Sequence, residues 1–249
     1  MTMNDITPFK RFRQQQVDFF ANASHELKTP LSIISWLIET LQGPAQDDPT
    51  AQKQFLGIMG EQTEKMTNLV QKLLKLAKTQ ALPEIGHKEM LDICKIIKKV
   101  IADLKNKASQ NGQKMRFQSE PNIPKLLGNT AEWEHVFQNL IDNAIKYGDS
   151  HSLITIDVRK INHLPHATDR GKSYLKIDVH NFGPPIESKD LDRLFDRFYR
   201  VDSVASKRVE GTGLGLSIVQ QIVHDYNGTI DVFSTRQGGT TFSIHLPLE

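Results

Sequence analysis

Two stripes of apolar residues, separated by a proline-flanked turn, leave the first third of this chain little choice of fold. The first stripe runs Phe20, Ala23, Leu27, Leu31, Ile34, Ile38 and Leu41. The second runs Phe55, Met59, Met66, Leu69, Leu73 and Leu76, with Gln62 as its one polar member. Both advance in steps of three and four, the period of a helix buried along one seam. Between them, Gly43-Pro44 and Asp47-Asp48-Pro49 end one helix and admit the next. The spacing predicts a helix from about Phe9 to Leu41 and a second from about Thr50, forming a hairpin. A hairpin of about 70 residues cannot bury a long seam on each arm alone, so pairing of two copies into a four-helix bundle is the physical expectation. The competing arrangement folds the hairpin against its own C-terminal half. Gln62 is either a register device or a residue at the seam's edge.

Beyond Leu82-Pro-Glu-Ile-Gly-His-Lys, where proline and glycine interrupt the helical pattern, the elements mix. A helix is expected near 92 to 110, with strands near 114 to 119, 153 to 159, 174 to 180, 229 to 234 and 240 to 246. This is an α+β pattern, with helices set against a mostly antiparallel sheet. The expected division is residues 9–80 as a helical domain, 81–87 as linker and 88–249 as the mixed domain.

Composition narrows the functional classes. Lys and Arg number 31 against 29 Asp and Glu, a net charge of +2, which gives no basis for a nucleic-acid or anionic-membrane partner. With Cys94 as the only cysteine there is no intramolecular disulfide and no cysteine cluster for a metal; among Leu91, Ile93, Ile96 and Ile97 it reads as a small buried thiol. No run approaches ~18 apolar residues and no signal-peptide pattern opens the chain, so the expectation is a cytoplasmic protein with no membrane contact by this segment.

Chemistry-bearing residues concentrate in a few places. His25 lies two residues from both Ala23 and Leu27, roughly 200° around the helix from each, and so faces water. Glu26 is beside it, and the Thr29 hydroxyl lies at i+4 on the same face. An exposed imidazole with a neighbouring carboxylate is a nucleophile with a base in reach. A zinc-protease motif would need a second histidine where Thr29 stands.

More than a hundred residues on, Asn139-Leu-Ile-Asp-Asn143-Ala-Ile-Lys146-Tyr147 reads as a two-faced helix. Asn139, Asn143, Lys146 and Tyr147 share a stripe, while Val136, Leu140 and Ala144 take the packing side. Carboxamide oxygens suit a hard cation such as Mg²⁺, and an ammonium suits phosphates. Two glycine-bearing stretches follow, Asn181-Phe-Gly183-Pro-Pro-Ile186 and Gly211-Thr212-Gly213-Leu214-Gly215-Leu216. The second leads into an apolar-periodic helix whose N-terminal amides favour anions. The polar stretch 160 to 173, holding His163, His166 and Asp169, reads as a solvated connection.

Singly, each of these motifs is weak; in this order and spacing, the chain resembles the sensor histidine kinases of bacterial two-component signalling over nearly its whole length. The resemblance rests on Ser24-His25-Glu26-Leu27-Lys28-Thr29-Pro30, the asparagine box at 139 to 147, the glycine boxes at 181 to 186 and 211 to 216, and Leu194-Phe195-Asp196-Arg197-Phe198. Residues 39 to 49 and 195 to 202 are in addition similar to the phosphate-regulon sensor kinases of proteobacteria.

The resemblance implies a dimerising hairpin that carries the phosphoacceptor His25, followed by a Bergerat-type (GHKL) ATP-binding sandwich. It further implies autophosphorylation of His25 by ATP and Mg²⁺, transfer to an aspartate of a response regulator, and phosphatase activity toward that regulator. Glu26 would be the base and Thr29 would position water for dephosphorylation. Asn139 and Asn143 would position Mg²⁺ and the phosphates, Lys146 would add charge, and Tyr147 would brace the nucleotide. Asn181, Gly183, Ile186, Phe195, Phe198, Gly211, Thr212, Gly213, Leu214, Gly215 and Leu216 would complete the nucleotide site, with Tyr199 to Glu210 as a lid over it. Kinases of this family usually carry membrane spans and a sensor ahead of the phosphoacceptor helix, so residues 1 to 12 are either the stump of a membrane-anchored parent or the start of a soluble member.

One departure stands out. The first glycine box usually opens with an aspartate that accepts a hydrogen bond from the adenine amino group, and here Asn181 and Pro185 replace the usual aspartate and second glycine. A neutral carboxamide accepts roughly half as strongly as a carboxylate, so weaker ATP binding is expected. The second reading is therefore a dimeric nucleotide-binding scaffold acting mainly as a regulator phosphatase or docking module.

Overall fold

The computed structural model describes residue 24 and residues 27–81, 88–162, 173–201 and 213–248. The chain divides into two compact units, Met1–Pro83 and Glu84–Glu249.

In the first unit, residues 27–42 are helical (α1) and Pro49–Ala81 form α2. The reversal between them is fixed by short-range bonds: the Ala45 amide donates to the Thr40 carbonyl at 2.9 Å, and Asp48 Oδ1 accepts from the amides of Thr50 (2.9 Å) and Ala51 (3.0 Å). Asp48 thus caps α2, and Pro49 takes the first helical position, where a missing N–H is harmless.

The α1 stripe is wider than its spacing suggested. Leu37, outside the expected seam, is 1% exposed and Pro30 is buried, whereas Leu31 is 53% and Ile38 39% exposed. Pro30, Ile34, Leu37 and Leu41 fall within about 60° of one another around the axis, and Leu31 and Ile38 lie roughly 90° away. The helix therefore carries two adjoining apolar faces, of which one is covered. On α2, Phe55, Met59, Gln62 and Met66 are half-buried and Leu69 is buried, as the seam requires, while Leu56 is left exposed.

The second unit is a two-layer sandwich. Its elements in order are β1 (Glu89–Leu91), α3 (Ile93–Gln110), β2 (Lys114–Ser119), β3 (Leu126–Gly128), α4 (Thr130–Tyr147), β4 (Leu153–Ile161), β5 (Ser173–Asn181), a short α5 (Ser188–Leu191), α6 (Gly215–Asp225), β6 (Thr229–Thr235) and β7 (Gly239–Leu248). Five strands form one sheet in the order β2-β4-β5-β7-β6, parallel between β2 and β4 and antiparallel elsewhere. The five long strands and α3 fall close to their expected positions, and the asparagine stretch and the apolar run after Leu216 lie in α4 and α6; α5 was not anticipated. The three-residue pair β1–β3, antiparallel with Met90 opposite Leu127, was not anticipated, because three residues are too few to show a period of two.

Alternation along the strands sorts the two faces. Ile154, Ile156 and Val158 of β4, Leu175, Ile177 and Val179 of β5, and Phe242, Ile244 and Leu246 of β7 are buried. They share the core with Trp133, Val136, Phe137, Leu140 and Ile141 of α4, Ile96 and Val100 of α3, and Ile218 and Ile222 of α6. α4 is the central helix, packing on α3 at one side and α6 at the other. The opposite face of the sheet is polar: Asp178 accepts from Ser243 Oγ at 2.6 Å and pairs with Arg159 and Lys176, each at 3.1 Å. Cys94 is half-buried rather than buried, and its burial together with the Asp92 charge raises the thiol above its ordinary value despite a hydrogen bond with Ser119. Among the described residues, no helix is long and apolar enough to cross a membrane.

Candidate functional site

α4 is pinned at both ends. At its start the Asn129 side chain accepts from the Ala131 amide at 2.9 Å. The Tyr226 hydroxyl, at the end of α6, accepts from the Asn129 amide at 2.9 Å and donates to Glu132 Oε2 at 2.6 Å. Burial and the Glu132 bond push the Tyr226 phenol well above its ordinary value, which keeps the hydroxyl a donor. At the far end, buried Gln113 donates from Nε2 to the carbonyls of Ile145, Gly148 and Asp149, each at 3.2 Å. They lie at the end of α4, where carbonyls lack intrahelical donors, and the Asp149 carbonyl also accepts from Ser152 Oγ at 2.6 Å.

Between these anchors, Val136, Leu140 and Ala144 are buried, and Asn139, Asn143, Lys146 and Tyr147 lie on the more open side. Asn139 Nδ2 donates to the His135 carbonyl at 2.9 Å. Its Oδ1 is thereby turned to the first residue of α6, where a Cβ on Gly215 would come within 2.6 Å of it. Asn143 is half-buried, and its carboxamide has no hydrogen-bond partner among the described residues.

Lys146 is engaged: its Nζ lies 2.8 Å from Asp142 Oδ2, one turn back on the same helix. The other carboxylate oxygen, Oδ1, accepts from Lys107 of α3. Burial alone would raise the Asp142 carboxyl, but the bonds from Lys107 and Lys146 outweigh it and hold the group below the usual carboxylate range. Burial also raises the Tyr147 phenol, opposed by the nearby positive charge of Arg200 and reinforced by Asp142.

Both glycine stretches close on this helix or on its neighbour. Asn181 ends β5 buried, with Nδ2 3.4 Å from the Phe182 carbonyl, too long for a strong bond. A Cβ on Gly183 would sit 2.3 Å from the Tyr147 carbonyl oxygen, so only glycine lets this turn approach the end of α4. The Asp149 amide adds a bond to the Phe182 carbonyl at 2.7 Å. The Ile186 amide donates to Ser234 Oγ at 3.0 Å, and that hydroxyl is 2.8 Å from Thr240 Oγ1.

The phenylalanine stretch supports the second glycine turn. Phe195 meets Phe242 edge-on, with ring centroids 6.5 Å apart. The Phe198 amide donates to the Gly213 carbonyl at 2.9 Å, and both residues are left-handed, with φ of 62° and 67°. A Cβ on Gly213 would lie 2.5 Å from the Phe198 carbonyl carbon. Leu214 is buried and Leu216 half-buried, anchoring the start of α6.

Asn139 and Gly215 therefore meet, as do Tyr147 and Gly183, and Phe198 and Gly213. Thr29 is exposed on α1. His25, Glu26, Gly211 and Thr212 lie outside the described residues, as do residues 202–210 of the expected lid and the His163, His166 and Asp169 connection. Sequence reasoning passed over Asp142, Lys107, Gln113 and Arg200. The Asp142–Lys146 spacing at i, i+4 was a usable signal, whereas Lys107 and Gln113 act across 35 and 32 residues and left none.

A helical hairpin joined to a sandwich whose central asparagine-bearing helix faces two glycine turns defines the class. Residues 15–82 match the model of the His Kinase A (phospho-acceptor) domain, and residues 128–249 match that of the histidine kinase-, DNA gyrase B- and HSP90-like ATPase. The chain belongs to the sensor histidine kinases of bacterial two-component systems. It is similar to the sensor protein kinase WalK of Staphylococcus aureus, 34% identical over 251 residues that cover 99% of this chain and 57% of that protein. The same similarity covers 39% of the WalK of strain JH9, so the chain spans well under two thirds of these curated relatives. Among solved structures, the Acinetobacter baumannii histidine kinase AdeS shares the fold with a TM-score of 0.65 at 24% identity, over 90% of this chain and 98% of that one. Histidine kinase ThkA, solved in complex with the response regulator protein TrrA, does so with a TM-score of 0.70 at 18% identity, over 99% and 68%.

Proposed function

We propose that this chain is an ATP-dependent protein-histidine kinase that phosphorylates itself on His25, passes the phosphoryl group to an aspartate of a response regulator, and removes phosphate from that regulator. The observation that carries the reading is the meeting of Asn139 Oδ1 with the Gly215 backbone. It sets the polar stripe of α4 against the N-terminus of α6, where backbone amides favour phosphate. Phosphoryl transfer asks mainly for alignment and charge neutralisation, and this junction offers both.

The donor set suits Mg²⁺. The carboxamide oxygens of Asn143 and Asn139 are neutral and hard, and the Asn143 side chain is uncommitted among the described residues. When bound, the ion would offset the negative charge of the phosphates. Asn143 and Asn139 would hold that charge in register, Lys146 would add a cation, and Tyr147 and Ile186 would border the nucleotide. Asn181 would face the base, with Gly183, Gly211, Thr212, Gly213, Leu214 and Leu216 shaping the turns and Phe195 and Phe198 supporting them. Glu26 would take the proton from His25, and Thr29 would position water for dephosphorylation. The response regulator is proposed as partner, in keeping with the ThkA complex. A homodimer is proposed because Leu31 and Ile38 leave an apolar face of α1 open in one protomer.

Incubation with γ-labelled ATP and Mg²⁺ tests the reading. The expected product carries acid-labile, alkali-stable label that is absent in His25→Ala and falls sharply in Asn143→Ala. Thr29→Ala should keep the label and slow dephosphorylation of the regulator. Equal labelling of His25→Ala would overturn the assignment.

A further inference from the structure

Asp142 stands between two cations, and only one of them belongs to the proposed phosphate site. Lys146 Nζ is 2.8 Å from Asp142 Oδ2, and Lys107 of α3 holds Oδ1. The Asp142 side chain is 22% exposed, the Lys146 side chain 29% and the Lys107 side chain 45%. A lysine so bound is drawn toward its carboxylate, and that attraction competes with the attraction of a phosphate. Leaving a mostly buried carboxylate with no partner is costly. Lys107 removes that penalty, because it stays on Asp142 when Lys146 departs.

We propose that Asp142 and Lys107 are positioning residues for nucleotide binding: Asp142 holds Lys146 against α4, and Lys107 neutralises Asp142 so that Lys146 can be drawn to the phosphates of a nucleotide. This rests on the function proposed above and adds a step to it. Among the described residues Lys107 bonds Asp142 and belongs to neither the asparagine stripe nor the glycine stretches, yet it controls whether the stripe's cation is available. Ion pairs at this level of exposure are worth enough to matter and little enough to exchange.

A double-mutant cycle on the whole chain separates this from a general field effect. The probes are the non-hydrolysable triphosphate AMP-PNP with Mg²⁺ and, as a phosphate-free reference, adenosine. Lys107→Met should weaken AMP-PNP about tenfold, the size of one charge-assisted contact, and leave adenosine unchanged. In a Lys146→Met background the same Lys107→Met change should cost less than about twofold, because no lysine remains to be released. Lys107→Arg, which keeps the charge, should restore affinity, and thermal unfolding of each variant checks that it folds. An equal loss from Lys107→Met in both backgrounds would mean that Lys107 acts only through its field, and the proposal fails. Parallel loss of adenosine binding would mean a structural role, and it fails again. If the unaltered chain bound AMP-PNP no better than adenosine, the nucleotide-phosphate site itself would be overturned, a different and separable result.

Discussion

At Gly215 the room for a side chain is already occupied by the Asn139 carboxamide. Alanine there gains roughly 1 kcal/mol of helix propensity at the first residue of α6 and loses about as much by displacing the Asn139 bond to His135. Gly215→Ala should therefore melt within a few degrees of the unaltered protein while phosphorylation from ATP falls about tenfold, a ratio worth ~1.4 kcal/mol; calorimetry and labelling read the two separately. His245 supplies a pH dependence. It is buried on the polar face of the sheet, with Nδ1 3.3 Å from Asp231 and with Lys176 and Asp178 nearby. Burial lowers its pKa below the ordinary value, and Lys176 adds to this against the two aspartates. The unfolded chain then takes up the proton first, so stability is full above the ordinary histidine value near 6.5 and falls as the pH drops through it. Urea unfolding at pH 7.5 and 5.5 should show that loss, and His245→Gln should reduce it. At this scale the sequence displayed which side chains share a stripe, because helical spacing is local. It did not display that Lys146 is already held, since Lys107 comes from another helix.

Among the elements, α4 depends on a residue it does not contain. Gln113 precedes β2 and supplies three hydrogen bonds to carbonyls of the last turn of α4 and of the two residues after it. Gln113→Ala should lower stability by about 2 kcal/mol, because the Ile145 and Gly148 carbonyls lose this donor; denaturant unfolding measures it. Labelling should decline in the same variant, since Tyr147 and the Gly183 turn rest on that end of the helix. Long elements were readable because nine or more alternating or three-and-four-spaced residues leave an unmistakable period, as in β5 and α3. β1 and β3 have three residues each, and their pairing is fixed by partners distant in sequence.

For the molecule as a whole, the open face of α1 is the feature with the largest reach. Fully covering a leucine or isoleucine is worth about 1.5–3 kcal/mol, and a dimer would do so twice over at each position. Leu31→Glu with Ile38→Glu should shift the protein from dimer to monomer in sedimentation equilibrium while the sandwich keeps its melting transition. The period of α1 disclosed that a seam exists, but not that two faces adjoin. Leu37 sits next to the stripe, and only packing decides which residues are covered within one chain.

The Tyr226 hydroxyl joins the last turn of α6 to the first turn of α4. Two rods fastened at one end can part only at the other, which makes Tyr226 the pivot and Leu214–Gly215 the end that swings in any opening around the asparagine stripe. Deuterium should accordingly reach the amides at the head of α4 no faster than it reaches the sheet, while those of the glycine turn exchange early.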